Sequence, residues 1–431
     1  MVEVLPERGT PLPDSVSVST ASIRFHELSV VNQQKHFQDV ARRALPLWGY
    51  PDSSILTLLN ITENATFKVE APGMPTMAMR VHRLDYAELD SIRTELSWIA
   101  HLAGDDTLRV VAPIPSTSGT LVETIETPSL GERRHVVCFE FVPGSAPRGS
   151  QDDTATIGRI VGALDPIPDA LTTRLFRGAS VAYNTAGRIS ARVGRPRALP
   201  EQDRSLYRRL GEIAALIHNR SASWTPPAHY RRIEWDQNAT FGPGWNNYYG
   251  KHYWDCPLLS PADVSAIGAA QSLMARRLAA FGTGPSRYGM IHSDLRPANL
   301  IAGDDGLTVL DFDDCGRGWY LTDIAGIVGF DEHRADLPQL IDAIVEGYRG
   351  HRALSDEDAR EIPTFILLRR IGLLESLQYH IDNTVAGEGE SAEVTPEIAA
   401  FYAKGTAILA RRYVKRFART PLPQPADRSG E

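Results

Sequence analysis

One short stretch constrains the fold of this chain more than any other. It begins with His292-Ser293-Asp294 and places Asn299 five residues after the aspartate. A hydrophobic run at 307–310 follows and ends in Asp311-Phe312-Asp313. A loop that follows one strand, and a second strand that ends in acidic residues, can deliver polar side chains to one place. The sequence therefore predicts that the polar side chains of both segments share one site.

These residue types match the needs of phosphoryl transfer. Asp294 is suited to orient an attacking hydroxyl and to accept its proton as the catalytic base. The amide oxygen of Asn299 and the carboxylate of Asp311 are suitable Mg²⁺ ligands, because Mg²⁺ prefers oxygen donors. Asp313 and Asp314 are taken as adjacent strand positions, which point to opposite faces, so at most one is expected to contact a second metal. Each residue alone would be an ordinary turn residue, and their common order points to a site.

Two further residues are predicted to support the site without reacting. His292 is expected to fix the catalytic loop through hydrogen bonds, because this chemistry needs no imidazole. Asp323 lies in Leu321-Thr322-Asp323-Ile324-Ala325, which predicts the start of a helix. It is interpreted as the N-cap of that helix, as a brace for the catalytic loop, or as both.

Length and composition narrow the class of protein. A chain of 431 residues is too long for one compact core and suits two lobes. A formal net charge of -8 without a long basic run argues against a nucleic-acid partner. Three cysteines without CxxC spacing predict neither disulfides nor a zinc site, which favours a cytoplasmic location. The polar N-terminus and the lack of an apolar run of about 18 residues argue against a signal peptide and a membrane partner.

The first part of the chain has the pattern of a sheet with helices. Strands are predicted at 56–59, 66–70, 76–82, 110–111, 120–125 and 135–141. A first helix is predicted at 38–45, where Pro46 ends it. A second is predicted at 87–102, because Ile92, Leu96 and Ile99 recur at helical spacing. The pattern predicts a mostly antiparallel sheet with an inserted helix.

Most of the remaining chain has a helical pattern. Val142-Pro143-Gly144 interrupts the strands and predicts a hinge. Helices are then predicted at 206–218, 261–281, 337–348, 366–379 and 398–413. The predicted domains are flexible tails at 1–27 and 419–431, an N-lobe at 28–141 and a C-lobe at 142–418 with an insertion at 145–200.

The motifs resemble those of the aminoglycoside phosphotransferase and choline/homoserine kinase-like family, the small-molecule branch of the protein-kinase fold. The His-Gly-Asp-x-x-x-x-Asn loop of that family is similar to 292–299, with serine in place of glycine. Its metal-binding Asp-Phe-x strand is similar to Asp311-Phe312-Asp313. The segment 311–325 is most similar to the homoserine-kinase-like and stress-response-kinase-like group. The resemblance covers roughly residues 31–413 and is weakest at 145–200.

The resemblance implies an α+β fold of protein-kinase-like type, with a small antiparallel-sheet N-lobe and a larger, mainly helical C-lobe. It also implies ATP and Mg²⁺ as cofactors. Arg80 stands where family members carry a lysine or arginine that contacts the nucleotide phosphates, and Glu95 would pair with it. Arginine keeps the charge but changes reach and geometry. As lone residues both would be ordinary surface charges.

The resemblance places other nucleotide contacts less sharply. The phosphate loop would lie at 62–67, where Asn64 and Thr66 are the candidate contacts and no glycine-rich cradle is present. Adenine would form hydrogen bonds with the backbone of the segment that joins the lobes, at Glu140 and Val142.

The acceptor site is predicted only in outline. The charged turn at 331–334 would suit a cationic acceptor, or would simply be solvated. Arg369 and Arg370 would hold an acceptor carboxylate, or would pair with nearby acids. An aromatic group would line the acceptor pocket or pack between helices. Its members are Trp245, Tyr248, Tyr249, Tyr253 and Trp254.

The expected reaction is transfer of the γ-phosphate of ATP to a hydroxyl of a small molecule. The acceptor classes considered are an amino alcohol, a hydroxy amino acid, an aminoglycoside or a related natural product. A Ser/Thr protein kinase of the stress-response type, a regulatory pseudokinase and a GTP-dependent phosphotransferase remain alternatives. The intact Asp294, Asn299 and Asp311 argue against the pseudokinase. The sequence does not specify an oligomeric state.

Overall fold

The computed structural model divides into two compact units. It describes residues 25, 28–61, 64–84, 88–127, 130–147, 198–240, 252–332, 334, 336–383 and 396–425. The first unit comprises Met1–Leu89 and Ile114–Glu140, and the second comprises Asp90–Pro113 and Phe141–Glu431. Most of the predicted tails and of the predicted insertion at 145–200 lies outside the described residues.

The described part of the first unit is an antiparallel sheet with one helix. Its elements are α1 (Val30–Ala44), β1 (Ile55–Ile61), β2 (Ala65–Glu70), β3 (Met77–Val81), β4 (Pro113–Ile114), β5 (Val122–Thr127) and β6 (Glu132–Glu140). The strand order is β1-β2-β3-β6-β4, and β5 also pairs with β6. The pairs β1–β2, β2–β3, β3–β6 and β5–β6 are all antiparallel, as the sequence predicted.

Along β2 and β3, successive side chains point alternately to the two faces of this sheet. Ala65, Phe67 and Val69 are buried in one hydrophobic cluster with residues of α1. Thr66 alternates with them and therefore points to the opposite face. Its direct cross-strand neighbour on β3 is Arg80. The strand period thus presents Thr66 and Arg80 together on the face away from the cluster.

Two boundary predictions for the first part of the chain are wrong. Helix α1 begins at Val30 and not near residue 38, because Ser29 caps it by accepting the N–H of Asn32. Residues 110–111 do not add a strand to the sheet of the first unit. Val110 instead forms an isolated parallel bridge with Val309 in the second unit.

The second unit is mainly helical. Its longer helices are α2 (Leu89–Ala103, whose first residue belongs to the first unit), α3 (Glu201–Ser221), α4 (Pro261–Phe281), α5 (Tyr320–Ile327), α6 (Leu337–Arg349), α7 (Ile362–Asn383) and α8 (Pro396–Phe417). Single-turn helices lie at Gln237–Thr240 and Asp356–Ala359. No helix in the described ranges is both long enough and apolar enough to cross a membrane.

Five short strands frame the site in this unit. They are β7 (Ile233–Trp235), β8 (Tyr288–Ile291), β9 (Leu300–Gly303), β10 (Gly306–Val309) and β11 (Gly316–Trp319). Strands β7, β11 and β8 form one small sheet, and β9 and β10 form a separate hairpin. The sheet-rich first unit and the helical second unit confirm the predicted α+β class.

Helices α3 and α6 approach each other at two glycines. A Cβ atom on Gly211 would overlap with the carbonyl oxygen of Ile344. A Cβ atom on Gly347 would likewise overlap with the carbonyl oxygen of Arg208. The two helix backbones are therefore closer together than they could be if either position carried a side chain.

Replacing Gly347 with alanine is expected to lower the free energy of unfolding by about 2 kcal/mol, because the helices must separate to admit the methyl group. Gly268→Ala on α4 is the matched control. Its Cβ would meet the Tyr253 hydroxyl at 3.6 Å, an ordinary contact. Because alanine forms helices better than glycine, this control should gain up to about 1 kcal/mol. Urea denaturation of both variants tests this, and equal midpoints would contradict the close contact.

Candidate active site

The loop after β8 positions Asp294 through contacts with its neighbours. The Nδ2 group of Asn299 donates to Oδ2 of Asp294 at 2.6 Å and to its carbonyl oxygen at 2.9 Å. Arg296 donates from Nε to the same Oδ2 at 3.1 Å. Arg369 of α7 donates from Nη2 to Oδ1. Both carboxylate oxygens of Asp294 are therefore oriented by charged or amide donors.

These contacts set the charge state of Asp294. Burial alone would raise the pKa of this carboxyl group. The guanidinium groups of Arg369 and Arg296 outweigh burial and lower the pKa below its ordinary value. Asp294 is therefore ionised at neutral pH, which is the state that accepts a hydrogen bond from a hydroxyl.

The β9–β10 hairpin brings Asp311 close to Asn299. Leu300 pairs with Val309 across the hairpin, and the N–H of Leu310 donates to the carbonyl oxygen of Asn299 at 2.9 Å. Asp311 is exposed and has a φ of 58°, a conformation that is uncommon for residues other than glycine. The side-chain nitrogen of Asn299 donates hydrogen bonds to Asp294. The side-chain oxygen of Asn299 is therefore the atom that could bind a metal ion.

Asp323 braces the catalytic loop from α5. Its carboxylate accepts the backbone N–H of His292 at 3.0 Å and that of Ser293 at 2.7 Å. The N-cap of α5 is Trp319, so the N-cap interpretation of Asp323 is wrong and the brace describes its contacts. Burial raises the pKa of Asp323, but the hydrogen bonds from the His218 ring and from the backbone N–H of His292 outweigh burial, and the net shift of the pKa is downward.

His218 holds the carboxylate of Asp323 in place through a hydrogen bond. Its Nε2 lies 3.0 Å from Oδ2 of Asp323, and its Nδ1 lies 2.9 Å from the hydroxyl of Tyr348. Burial lowers the pKa of His218, which keeps the ring neutral. The close packing of α3 and α6 thus matters for the site, because α3 carries His218 and α6 carries Tyr348.

His292 has the scaffold contacts that the sequence predicted. Its Nε2 lies 2.8 Å from the carbonyl oxygen of Leu310, which only accepts, so Nε2 carries the proton. Its Nδ1 then accepts the N–H of Asp294 at 3.3 Å. One imidazole therefore links the loop of Asp294 to the end of the hairpin that leads to Asp311.

Sequence reasoning missed a buried arginine beside the turn that follows Asp311. Arg232 donates from Nε to the carbonyl oxygen of Cys315 at 2.6 Å and from Nη2 to that of Asp313. Its Nη1 donates to Ser91 at 3.1 Å and lies 3.6 Å from the carboxylate of Glu95. Arg232 thus ties the segment after Asp311 to helix α2. Nothing in its sequence neighbourhood signals this role.

The structure also corrects the prediction for Asp313 and Asp314. Strand β10 ends at Val309, and both aspartates lie in the turn that follows. Trp235 donates from its indole to the carbonyl oxygen of Asp314 at 2.7 Å. The alternation of strand side chains therefore does not apply here. The metal role proposed for Asp313 stays a prediction.

The nucleotide candidates of the first unit are found on and beside its sheet. The guanidinium of Arg80 lies 5.3 Å from the ring centre of Phe139. Asn64 is buried, and its Oδ1 accepts the N–H of Arg83 at 3.1 Å. Glu140 is the exposed last residue of β6. Thr62 and Glu63 lie outside the described residues.

The remaining two candidates belong to the second unit. Glu95 is buried on α2, where its described partner is Arg232. Val142 begins the predicted hinge, and Gly144 packs so closely on β9 that a Cβ would overlap with Ala302. Pairing of Arg80 with Glu95, and the nucleotide contacts of all six candidates, stay predictions.

The described residues of the charged turn at 331–334 pair with charged or polar side chains of the same unit. Arg334 is buried and pairs with Asp203 at 3.0 Å. Glu332 is buried and pairs with Arg370 at 2.8 Å. Asp331 accepts a hydrogen bond from Tyr207. These charges form an internal network of the unit, and His333 lies outside the described residues.

Only part of the aromatic group is described. Tyr253 is buried and donates to Gln271 at 2.6 Å, which is a packing role. Trp254 is 44% exposed and stacks on His252 with ring centres 4.1 Å apart. Trp245, Tyr248 and Tyr249 lie outside the described residues.

Glu375 is a buried acid beside Tyr253, whose N–H it accepts at 3.2 Å. Burial raises the pKa of Glu375 to about 9, although this hydrogen bond opposes the shift. The folded state therefore binds a proton more tightly than the unfolded state, and this contribution to stability is lost as pH rises toward about 9. Glu375→Gln should remove that loss, because the amide never ionises.

Thermal unfolding from about pH 5 to about pH 9 measures this difference. The advantage of Glu375→Gln over the parent should grow with pH. Glu346→Gln, which changes a half-exposed glutamate, is the control and should follow the parent. A constant difference between Glu375→Gln and the parent would show that Glu375 does not carry the shift.

Comparison with known proteins places the chain in a family. The model of the phosphotransferase enzyme family APH matches residues 166–359. A solved structure of a microcompartment-associated aminopropanol kinase is 32% identical, with 88% of this chain and 98% of that chain covered and a TM-score of 0.66. That identity over nearly the whole relative shows common descent.

More distant relatives have the same fold. The amicoumacin kinase of Bacillus subtilis is 21% identical over 367 residues, which cover 82% of this chain and 89% of that protein. A solved amicoumacin kinase, in complex with AMP-PNP, Ca²⁺ and Ami, is 18% identical with a TM-score of 0.60 and covers 92% of this chain and 98% of that chain. The chain therefore belongs to the APH phosphotransferase family and is a small-molecule kinase.

Proposed function

We propose that this kinase transfers the γ-phosphoryl group of ATP to the hydroxyl of a small amino alcohol, with Asp294 as the aligning base. The main observation behind the proposal is the ionised carboxylate of Asp294, which accepts a hydrogen bond from Asn299 at 2.6 Å. The backbone of Asn299 is in turn hydrogen-bonded to Leu310, the residue before Asp311. The aminopropanol kinase that is 32% identical supports an amino alcohol as the first acceptor to test.

The proposed metal site fits Mg²⁺ by the chemistry of its donors. Asn299 offers an amide oxygen and Asp311 offers a carboxylate, and Mg²⁺ in such sites takes one or two protein carboxylates and completes its shell with phosphates and water. No group of three or more His, Cys, Asp or Glu side chains suited to a metal occurs in the described ranges. When bound, Mg²⁺ would offset the charge that develops on the phosphate oxygens.

The protein groups account for the remaining chemistry. Asp294 accepts a hydrogen bond from the acceptor hydroxyl and thereby directs the hydroxyl oxygen of the acceptor toward the γ-phosphorus. As that oxygen bonds to phosphorus, the bond from phosphorus to the β–γ bridging oxygen breaks and ADP leaves. The hydroxyl proton passes to the carboxylate of Asp294. Arg80 is proposed to contact the nucleotide phosphates.

An acceptor panel tests this function. The purified protein is incubated with ATP and Mg²⁺, and ADP release is followed with 1-amino-2-propanol, ethanolamine, hydroxy amino acids, aminoglycosides and a generic protein substrate. The proposal expects release that depends on a small amino alcohol. Release that depends only on the protein substrate would favour a protein kinase. ATP binding without release with any acceptor would favour a regulatory pseudokinase.

A further inference from the structure

Arg369 donates hydrogen bonds to two adjacent residues of the loop that follows β8. It projects from α7, and its side chain is 9% exposed. Its Nη2 donates to Oδ1 of Asp294, and its Nη1 donates to the carbonyl oxygen of Ser293. A single planar guanidinium therefore holds both the carboxylate and the backbone next to it, which only arginine can do with this geometry.

The hydrogen bonds of Asp294 show where an acceptor hydroxyl can bind. Its Oδ2 already accepts two donors, from Asn299 at 2.6 Å and from Arg296 at 3.1 Å. Its Oδ1 accepts one described donor, from Arg369. An ionised carboxylate has about four lone-pair sites, two on each oxygen. The remaining site is therefore on Oδ1, beside the Arg369 guanidinium.

Ser293 gives Arg369 a second role. The residue has a φ of 71°, a conformation that is unfavourable for a residue other than glycine and persists only where its surroundings hold it. Asp323 accepts its N–H at 2.7 Å, and Arg369 donates to its carbonyl oxygen. The two charged side chains hold opposite ends of the same residue, immediately before Asp294.

We propose that Arg369 is a positioning residue for phosphoryl transfer. It aims Oδ1 of Asp294 at the acceptor hydroxyl and keeps Ser293 in its unusual conformation. This inference rests on the proposed role of Asp294. The adjacent Arg370 provides a contrast, since it pairs with the buried Glu332 at 2.8 Å and stabilises the helical unit only.

The test compares Arg369→Ala and Arg369→Lys with the parent protein. We expect Arg369→Ala to lower kcat about 100-fold, because the carboxylate loses its alignment, while KM for ATP changes little. Millimolar guanidinium should restore part of the lost kcat, because it can occupy the vacated site.

Arg369→Lys separates charge from geometry. Lysine keeps the positive charge but lacks the planar fork, so kcat should fall to a value between those of Arg369→Ala and the parent. The control is Arg204→Gln, which removes a half-exposed pair with Glu346 at 2.7 Å. It should keep the parent kcat.

Two results would overturn the inference. They are an unchanged kcat in Arg369→Ala and a lower kcat that guanidinium does not restore. If Arg369→Ala does not fold, Arg369→Lys decides, and a kcat equal to that of the parent would overturn the inference. Asp294→Asn separates this inference from the proposed function. If Asp294→Asn is inactive and Arg369→Ala is fully active, only the role of Arg369 fails.

Discussion

Replacing Asp294 with alanine is expected to lower kcat by about 1,000-fold or more, because the acceptor hydroxyl loses both its orientation and its proton acceptor. Binding of ATP should persist, since the carboxylate is proposed to contact the acceptor and not the nucleotide. Steady-state ADP release measures kcat, and calorimetric titration with a nonhydrolysable ATP analogue measures binding.

The control for this variant lies on the β9–β10 hairpin, which precedes Asp311. Asp304 is an exposed aspartate at the tip of the β9–β10 turn, and Asp304→Ala should keep the kcat of the parent. Asp294→Asn extends the test, because the amide keeps the size of the side chain and removes its charge. Turnover in both Asp294 variants near that of the parent would contradict the assignment of the base.

The second large effect is expected for Asp311. Asp311→Ala should lower kcat/KM by about 1,000-fold, because a bound metal contributes several kcal/mol of charge stabilisation in the transition state. The same change should weaken the binding of ADP in the presence of Mg²⁺ and leave binding without Mg²⁺ unchanged. Titration of ADP with and without Mg²⁺ separates these two quantities.

Asp305→Ala is the control for Asp311. Asp305 lies six residues earlier, and its side chain is 78% exposed beside Arg109. It should keep the full gain in ADP affinity that Mg²⁺ provides. If Asp311→Ala keeps that gain as well, Asp311 is not a ligand of the metal.

The core of the site could be predicted because its residues are close in sequence. Asp294, Asn299 and Asp311 lie within 18 positions, and one loop and one hairpin bring their segments together. Local structure of this kind follows from hydrophobic runs and turn residues. The brace by Asp323 could also be suggested, because α5 begins shortly after β11.

The supporting arginines could not be predicted, for a physical reason. Arg232 precedes Asp311 by many residues and reaches its segment only after β7 and β11 pair in parallel. Arg369 was expected either to bind an acceptor carboxylate or to pair with an acid. It pairs with Asp294, a partner that depends on how α7 packs against the catalytic loop. Spacing in the sequence carries no information on such long-range contacts.

The charged turn at 331–334 shows the same limit in reverse. A run of charged residues usually indicates exposure, because an isolated buried charge is costly. Here the charges are compensated by distant partners, with Asp203 on α3 and Arg370 on α7. Predicting this burial requires the packing of three helical segments. The acceptor pocket therefore cannot be outlined from the charge pattern of the chain.

The most direct test of the proposed function is ³¹P NMR of the reaction of wild-type protein with ATP, Mg²⁺ and 1-amino-2-propanol. The account predicts a new phosphomonoester signal that grows in step with ADP and does not appear with Asp294→Ala. ADP accompanied by inorganic phosphate, with no phosphomonoester from this or any other small hydroxyl compound, would contradict phosphoryl transfer to a small-molecule acceptor.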